Sequence, residues 1–114
     1  MSIFAHIGAA LTALMCFYGF AFPNRLAQRA DIGLRLETPI ALSEMRATYG
    51  AMVAIALAVI VTQSETFAMV LGIAWFGSFV GQAVSIVVDK SWSSHVATSS
   101  VGSLLMFVFL VPLA

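Results

Sequence analysis

Four long apolar runs with almost no charge constrain this chain more than any other feature of its sequence. They cover residues 2–22, 39–62, 66–88 and 95–114, and short polar segments separate them. A helix needs about 20 mainly apolar residues to cross a bilayer. A helix also satisfies its own backbone hydrogen bonds in lipid, which an open sheet does not. We therefore expect an all-α, integral membrane four-helix bundle that forms one transmembrane domain over residues 1–114.

The composition agrees with lipid as the solvent of most side chains. Hydrophobic residues make up 61% of the chain and charged residues 9%, whereas a soluble domain carries about 25% charged residues. The net charge is zero, so we expect no nucleic-acid partner. The lone Cys16 excludes a disulfide within the chain. Because no positive charge precedes the first run, we expect an uncleaved span and not a signal peptide.

The basic residues predict how the spans are oriented. All five lie in or near the first and third polar segments: Arg25, Arg29, Arg35, Arg46 and Lys90. Positively charged segments stay on the cytoplasmic side of a membrane. We therefore expect a multi-pass protein of the bacterial inner membrane with both termini on the non-cytoplasmic side. The first connection, residues 24–38, is either a short interfacial helix or an irregular loop, and both interpretations stay open.

Small residues at four-residue spacing predict how the spans pack. Helices in lipid associate where small side chains let their backbones approach. Such stripes occur at Ala5, Ala9 and Ala13, at Gly50, Ala54 and Ala58, and at Gly77, Gly81 and Ser85. A very short turn joins the second and third spans, so we expect them to be antiparallel neighbours with the last two stripes facing each other. The alternative is that the Gly77–Gly81 stripe is an intermolecular interface.

One polar cluster is expected at the cytoplasmic end of the second and third spans. It comprises Glu44, Arg46, Tyr49, Gln82, Ser85 and Asp89. Ionisable groups near lipid are costly and are usually paired, so Arg46 is expected near Asp89, and Glu44 near Lys90. The cluster either anchors the spans at the interface, with side chains that reach water, or binds a headgroup or small polar ligand.

No residue pattern predicts catalysis, a metal site or a bound cofactor. The motifs HExxH, CxxC and the phosphate-binding loop are absent, and the serines lack a base and acid partner pattern. His6 and His95 are expected on opposite sides of the membrane. Each is either an interfacial polar residue or the single axial ligand of a pigment or haem.

The segment Ser43-Glu44-Met45-Arg46-Ala47-Thr48-Tyr49-Gly50-Ala51 resembles a family of small four-helix bacterial membrane proteins classed as a domain of unknown function. Members carry Glu-x-Arg-Ala-x-Tyr-Gly-Gly at the start of the second helix and Gly-x-x-x-Gly-Arg-x-x-Ser on the third. Gly77, Gly81 and Ser85 match the latter, but Gln82 replaces the arginine and Ala51 the second glycine. The resemblance implies the fold and no established activity.

Small multidrug exporters and membrane glutathione-dependent enzymes also have four helices. The exporters depend on a glutamate in the first helix, which is absent here, and the enzymes have a different glutamate–arginine spacing on the second. We expect a non-catalytic accessory or structural subunit of a larger inner-membrane complex, respiratory or photosynthetic, with membrane lipids and other membrane subunits as partners. The alternatives are a stand-alone binder or carrier of a lipid or small apolar molecule, and a membrane enzyme on a lipid-soluble substrate.

Overall fold

The computed structural model describes residues 1–27 and 38–114, and this part of the chain is helical with no strand. Three of its helices, α1, α3 and α4, are long and apolar enough to cross a membrane, while α5 is apolar but has 17 residues. The predicted all-α class is thus confirmed for the described residues. The helices are α1 (Ile3–Ala21), α2 (Pro23–Ala27), α3 (Pro39–Thr62), α4 (Glu65–Val88) and α5 (Ser94–Leu110).

The long helices begin where a serine or threonine can cap them. In each case the side-chain oxygen accepts a hydrogen bond from the backbone N–H three residues further on, which satisfies a donor that the helix leaves unpaired. The capping residues are Ser2, Thr38, Ser64 and Ser93. The start predicted at Thr38 and Pro39 is therefore confirmed. Only Gln63, in the left-handed conformation with φ of 54°, and Ser64 separate α3 from α4.

The first connection begins with a short helix. α1 ends at Ala21, and Pro23 is the first residue of α2, a position that proline favours because the first helical N–H has no partner. The two interpretations of this connection concern mainly residues 28–37, including Arg29 and Arg35, and these lie outside the described residues.

The helices pair differently from the prediction. α1 packs mainly against α3, and α4 mainly against α5, while α3 and α4 make far fewer contacts. Gly50 of α3 lies against the ring of Phe20 on α1, and none of the described residues lies within 4 Å of the Cβ position of Gly77 or Gly81. The prediction that the two stripes face each other is therefore wrong. A short turn fixes where two helices meet, but it does not hold them together along their length.

The α1/α3 pair and the α4/α5 pair meet near the two chain termini and toward the middle of the helices. The rings of Phe4 and Phe109 are 5.7 Å apart, and Gly8 lies against Leu110. We call this the terminal end, where residues 1–6, the turn at residues 63–64 and residues 110–114 meet; the opposite end is the loop end. A buried apolar cluster extends from here into the centre: Ala9, Ala56, Val59, Ala68, Leu71 and Leu110.

Candidate functional site

The residues of the predicted polar cluster lie at or toward the loop end, but they do not form one site. Glu44 and Arg46 are exposed on the first turns of α3. Within residues 1–27 and 38–114, no ion pair joins Arg46 to Asp89 or Glu44 to Lys90. The reason is the helix pairing: this half of α3 packs on α1, and the matching half of α4 packs on α5. The two charged groups are therefore held on different helix pairs.

Tyr49 belongs to the contact between α1 and α3. A Cβ atom added at Gly19 would lie 2.8 Å from two carbon atoms of the Tyr49 ring, so only glycine leaves room for the ring at this place. Tyr49 is half-buried and Gly19 is buried. The role of Tyr49 in the described structure is thus close helix packing. The sequence shows Gly19 as one glycine among eight, with no pattern that marks it as the partner of Tyr49.

Gln82 forms the main polar contact between α4 and α5. Its amide nitrogen Nε2 donates to Ser99 Oγ at 2.7 Å, and Ser100 Oγ donates to its oxygen Oε1 at 3.2 Å. Ser103 Oγ donates in turn to the backbone carbonyl of Ser99 at 2.9 Å. Both ends of the amide are paired, which removes the cost of placing an amide in an apolar environment. Sequence analysis singled out Gln82 but missed its serine partners, although they recur on one face of α5.

Ser85 and Asp89 close the loop end of α4. Ser85 Oγ donates to Asp89 Oδ2 at 3.0 Å and also lies 3.0 Å from Ser91 Oγ. The backbone N–H of Asp89 donates to the carbonyl of Ser85 at 2.8 Å. These contacts connect neighbouring parts of the chain, so they terminate the helix and give no sign of a binding site.

Trp75 and Thr12 form a hydrogen bond between α1 and α4. The indole Nε1 of Trp75 donates to Thr12 Oγ1 at 2.9 Å, and Thr12 Oγ1 donates to the carbonyl of Gly8 at 2.7 Å. Thr12 is completely buried, so no solvent can replace the bond. Trp75 therefore contacts protein in the interior, a role that the sequence left undecided.

The two histidines lie at opposite ends of the molecule, as their positions in the chain predict. His95 is half-buried near the start of α5. His6 is at the terminal end, where its Nδ1 is 2.8 Å from the carbonyl oxygen of Ser2 and its Nε2 is 2.5 Å from Gln63 Oε1. Both ring nitrogens of His6 thus have a protein partner, and neither points into open space where a pigment metal could bind.

The glycines fall into two groups. Added Cβ atoms at Gly8, Gly19 and Gly72 would lie 3.0 Å or less from a neighbouring side chain, so these three allow helices to approach closely. At Gly77 and Gly81 of α4, and at Gly102 of α5, no described residue lies within 4 Å of an added Cβ atom, while Gly50 lies between the two groups, 3.3 Å from the ring of Phe20. Gly77 and Gly81 are exposed on α4, opposite its buried residues Ala68, Leu71 and Gly72. Of the residues predicted to pack helices, Gly50 contacts α1, Ala58 is half-buried, and Ala54, Gly77 and Gly81 are exposed.

The surface of α4 that faces away from the core is apolar from Ile73 to Val88. Residues that recur every three or four positions form it, and all of them are exposed: Ile73, Gly77, Gly81, Val84 and Val88. We call this surface the glycine face of α4. A shallow groove of about 350 Å³ borders its loop end and is lined by Ala83, Val84, Val87 and Val88. Gly77 and Gly81 carry no side chain and are exposed, so the helix backbone is accessible there.

Two shallow concavities in the described structure lie away from the predicted polar cluster. One is the groove on α4, and the other, of about 180 Å³, is at the terminal end and is lined by Glu65, Met69, Leu110, Val111 and Ala114. Among residues 1–27 and 38–114, no three His, Cys, Asp or Glu side chains are grouped so as to hold a metal ion.

Comparisons of the chain with protein families, with curated proteins and with solved structures give no match. The resemblance of residues 43–51 to a family of four-helix membrane proteins therefore stays a prediction.

Proposed function

We propose that this chain is a non-catalytic accessory or structural subunit of a larger complex in the bacterial inner membrane, and that it binds its partner through the glycine face of α4. The observation that carries the proposal is the open space around Gly77 and Gly81.

In this proposal the chain forms a four-helix bundle in the membrane, with α5 as the fourth span. α1, α3 and α4 are long and apolar enough to cross, and α5 lies antiparallel to α4 through the Gln82 contacts. The basic residues Arg25, Arg46 and Lys90 lie at the loop end. By the positive-inside rule this end is cytoplasmic, so both termini are on the non-cytoplasmic side.

The glycines lower the intrinsic stability of the helices that contain them. A glycine in a helix is about 1 kcal/mol less favourable than an alanine. Gly8, Gly19 and Gly72 offset this cost by close packing within the chain, but Gly77 and Gly81 have no such contact. In a membrane, small residues four positions apart allow the backbone of another helix to approach closely. A partner helix on the glycine face would give these two residues the role that the other three have inside the fold.

The positions of the polar groups distinguish a subunit from a binder or an enzyme. A carrier of a lipid or small molecule and an enzyme would both depend on polar groups that converge on a space large enough for a ligand. In the described residues Gln82 of α4 pairs with two serines on α5, and Glu44 and Arg46 of α3 are exposed. The surface that stays apolar, exposed and indented is on α4.

The test is a gentle-detergent pull-down of the tagged chain, with mass spectrometry and an absorption spectrum of the eluate. We compare the wild type with the variants Gly77→Leu and Gly81→Leu. A Cβ atom added at either position has nothing within 4 Å of it in the described part of the fold, so the variants should fold and lose only the partner. Gly102→Leu is the matched control, because Gly102 on α5 also has nothing within 4 Å of its Cβ position.

The expected result is stoichiometric recovery of larger subunits with the wild type and with Gly102→Leu, and loss of these subunits with Gly81→Leu. Haem or chlorophyll absorption in the eluate would identify a respiratory or photosynthetic complex. A colourless eluate that contains this chain alone would refute the proposal and would favour a binder of lipids or small apolar molecules. Loss of the partner with Gly102→Leu only would place the interface on α5.

A further inference from the structure

The chain passes between the two helix pairs at a single place. α1 and α3 form one pair and α4 and α5 the other, so the connection from α1 to α3 and the connection from α4 to α5 each join members of the same pair. The covalent link between the pairs is therefore the turn at Gln63 and Ser64, at the terminal end. This short turn fixes one end of each pair and leaves the loop end of each pair without a covalent link to the other.

The buried residues of α3 and α4 lie in the half of each helix that is next to this turn. They are Ala56 and Val59 on α3, and Ala68, Leu71 and Gly72 on α4. Residues 39–55 of α3 and 73–88 of α4 are exposed or half-buried, and none of them is buried. In a closely packed four-helix bundle, each helix contributes core positions along its whole length. The loop halves of α3 and α4 therefore pack on their own partners and are not enclosed by the opposite pair.

The contacts that join the two pairs have the same distribution. At the terminal end the rings of Phe4 and Phe109 are 5.7 Å apart, and the buried apolar cluster continues from there into the centre. Near the middle of the helices, Trp75 Nε1 donates to Thr12 Oγ1 at 2.9 Å. The pairs are thus held together from the terminal end to the middle of the helices.

Toward the loop end, each pair is held together by its own contacts. In the first pair, a Cβ atom added at Gly19 would lie 2.8 Å from the ring of Tyr49, so α1 and α3 approach closely there. In the second pair, the amide of Gln82 donates to Ser99 Oγ and accepts from Ser100 Oγ. Separation of the two pairs at the loop end would break none of these contacts. Each pair is therefore able to move as a unit.

We propose that the chain is a hinge made of two rigid helix pairs, which rotate relative to each other about the Gln63–Ser64 turn so that the loop end opens and closes. Hinge motions change the backbone at a few residues in loops or at the ends of helices. α4 has 24 residues from Glu65 to Val88, a length of about 36 Å at 1.5 Å per residue. A rotation of about 10° therefore moves the loop end of α4 by about 6 Å over that length.

The movement changes the distance between charged groups that the two pairs carry toward the loop end. Arg46 is exposed on α3, and Asp89 follows α4 and is also exposed. Closure brings these groups nearer to each other, and opening separates them. The hydrogen bond between Trp75 and Thr12 restrains the opening, because it joins the pairs about 16 Å along α4 from the turn.

The test measures distances between two spin labels by double electron–electron resonance, with the full chain in lipid nanodiscs. Cys16→Ala first removes the single native thiol, and circular dichroism checks that the helices are kept. Ala47→Cys with Val80→Cys places one label on each pair, at exposed sites equally far along the chain from the turn. Val80→Cys with Val101→Cys is the matched control, because both of its exposed sites are on the α4/α5 pair.

We expect one narrow distance for the control. For the labels on different pairs we expect a distribution wider by about 4 Å or more, the displacement that a rotation of about 10° gives at Val80. Thr12→Val should widen this distribution further and leave the control unchanged. Equal widths for the two label pairs would overturn the proposal, as would a Thr12→Val variant without further widening. A failed pull-down would leave these distances unaffected, so the hinge and the partner are tested separately.

Discussion

The hydrogen bond from Trp75 to Thr12 allows a quantitative test of how the two helix pairs are held together. Thr12→Val keeps the shape of the side chain but removes the oxygen that accepts from the indole N–H. Trp75→Phe removes the donor. Each single change also has other effects, such as the space left by the smaller ring, so the bond is measured by the coupling between the two in a double-mutant cycle.

The structure sets the expected coupling energy. Hydrogen bonds between membrane helices contribute about 0.6 kcal/mol on average and up to about 1.7 kcal/mol. Thr12 is completely buried and its oxygen is 2.9 Å from the indole nitrogen, so neither water nor lipid can substitute for either group. We therefore expect a coupling of about 1 kcal/mol, above the average, which is about a fivefold change in the unfolding constant.

The assay is reversible unfolding in mixed micelles with increasing denaturing detergent, followed by circular dichroism for the wild type, both single variants and the double variant. Thr48→Val is the matched control. Thr48 Oγ1 also donates to a carbonyl four residues earlier, that of Glu44 at 3.0 Å, but the residue is exposed. Thr48→Val should be additive with Trp75→Phe within about 0.3 kcal/mol. A coupling energy of about 0.3 kcal/mol or less between Thr12→Val and Trp75→Phe would refute the reasoning. Apolar packing would then account for the contact between α1 and α4 at this place.

Two further predictions follow from the packing and the orientation. Gly19→Ala should destabilise the fold by about 1–3 kcal/mol, because the new methyl group overlaps the ring of Tyr49. Gly81→Ala should leave the unfolding free energy of the isolated chain unchanged or raise it by up to about 1 kcal/mol; equal losses in the two variants would contradict the packing. Alkaline phosphatase fused after Ala114 should be active, and green fluorescent protein fused there should be dark. The reverse pattern would show that the C-terminus is cytoplasmic.

The limits of α1, α3 and α4 followed from the sequence because they depend on local properties, whereas α5 ends at Leu110 and not at the predicted residue 114. Long apolar runs define the interior of each helix, and a serine or threonine in front of a run accepts from the first free N–H groups. The predicted run at residues 39–62 matches α3, Pro39–Thr62. The polar break predicted at residues 63–65 lies between α3 and α4, where Gln63 and Ser64 separate the two helices and Glu65 is already the first residue of α4.

The partners of the helices, and with them the candidate sites, were decided by the tertiary structure. A glycine indicates only that a close approach is possible, and it does not say which helix approaches or from which side. Gly19 and Gly81 are equivalent in the sequence, but one lies against Tyr49 and the other has no neighbour within 4 Å. The predicted pairing of α3 with α4 failed for this reason.

For the polar groups, too, the sequence indicates which side chains need a partner, and the tertiary structure decides which partner each one meets. The sequence indicates that Gln82, Trp75 and His6 need partners, because amide, indole and imidazole groups are costly to leave unpaired away from water. It does not indicate that Trp75 meets Thr12, 63 residues earlier, or that His6 meets Gln63, 57 residues later. Hydrogen bonds are directional and short, so these partners are set by the register of helices that are distant in the chain. The sequence alone thus determined which segments are helical, and only the tertiary structure decided what each helix face contacts.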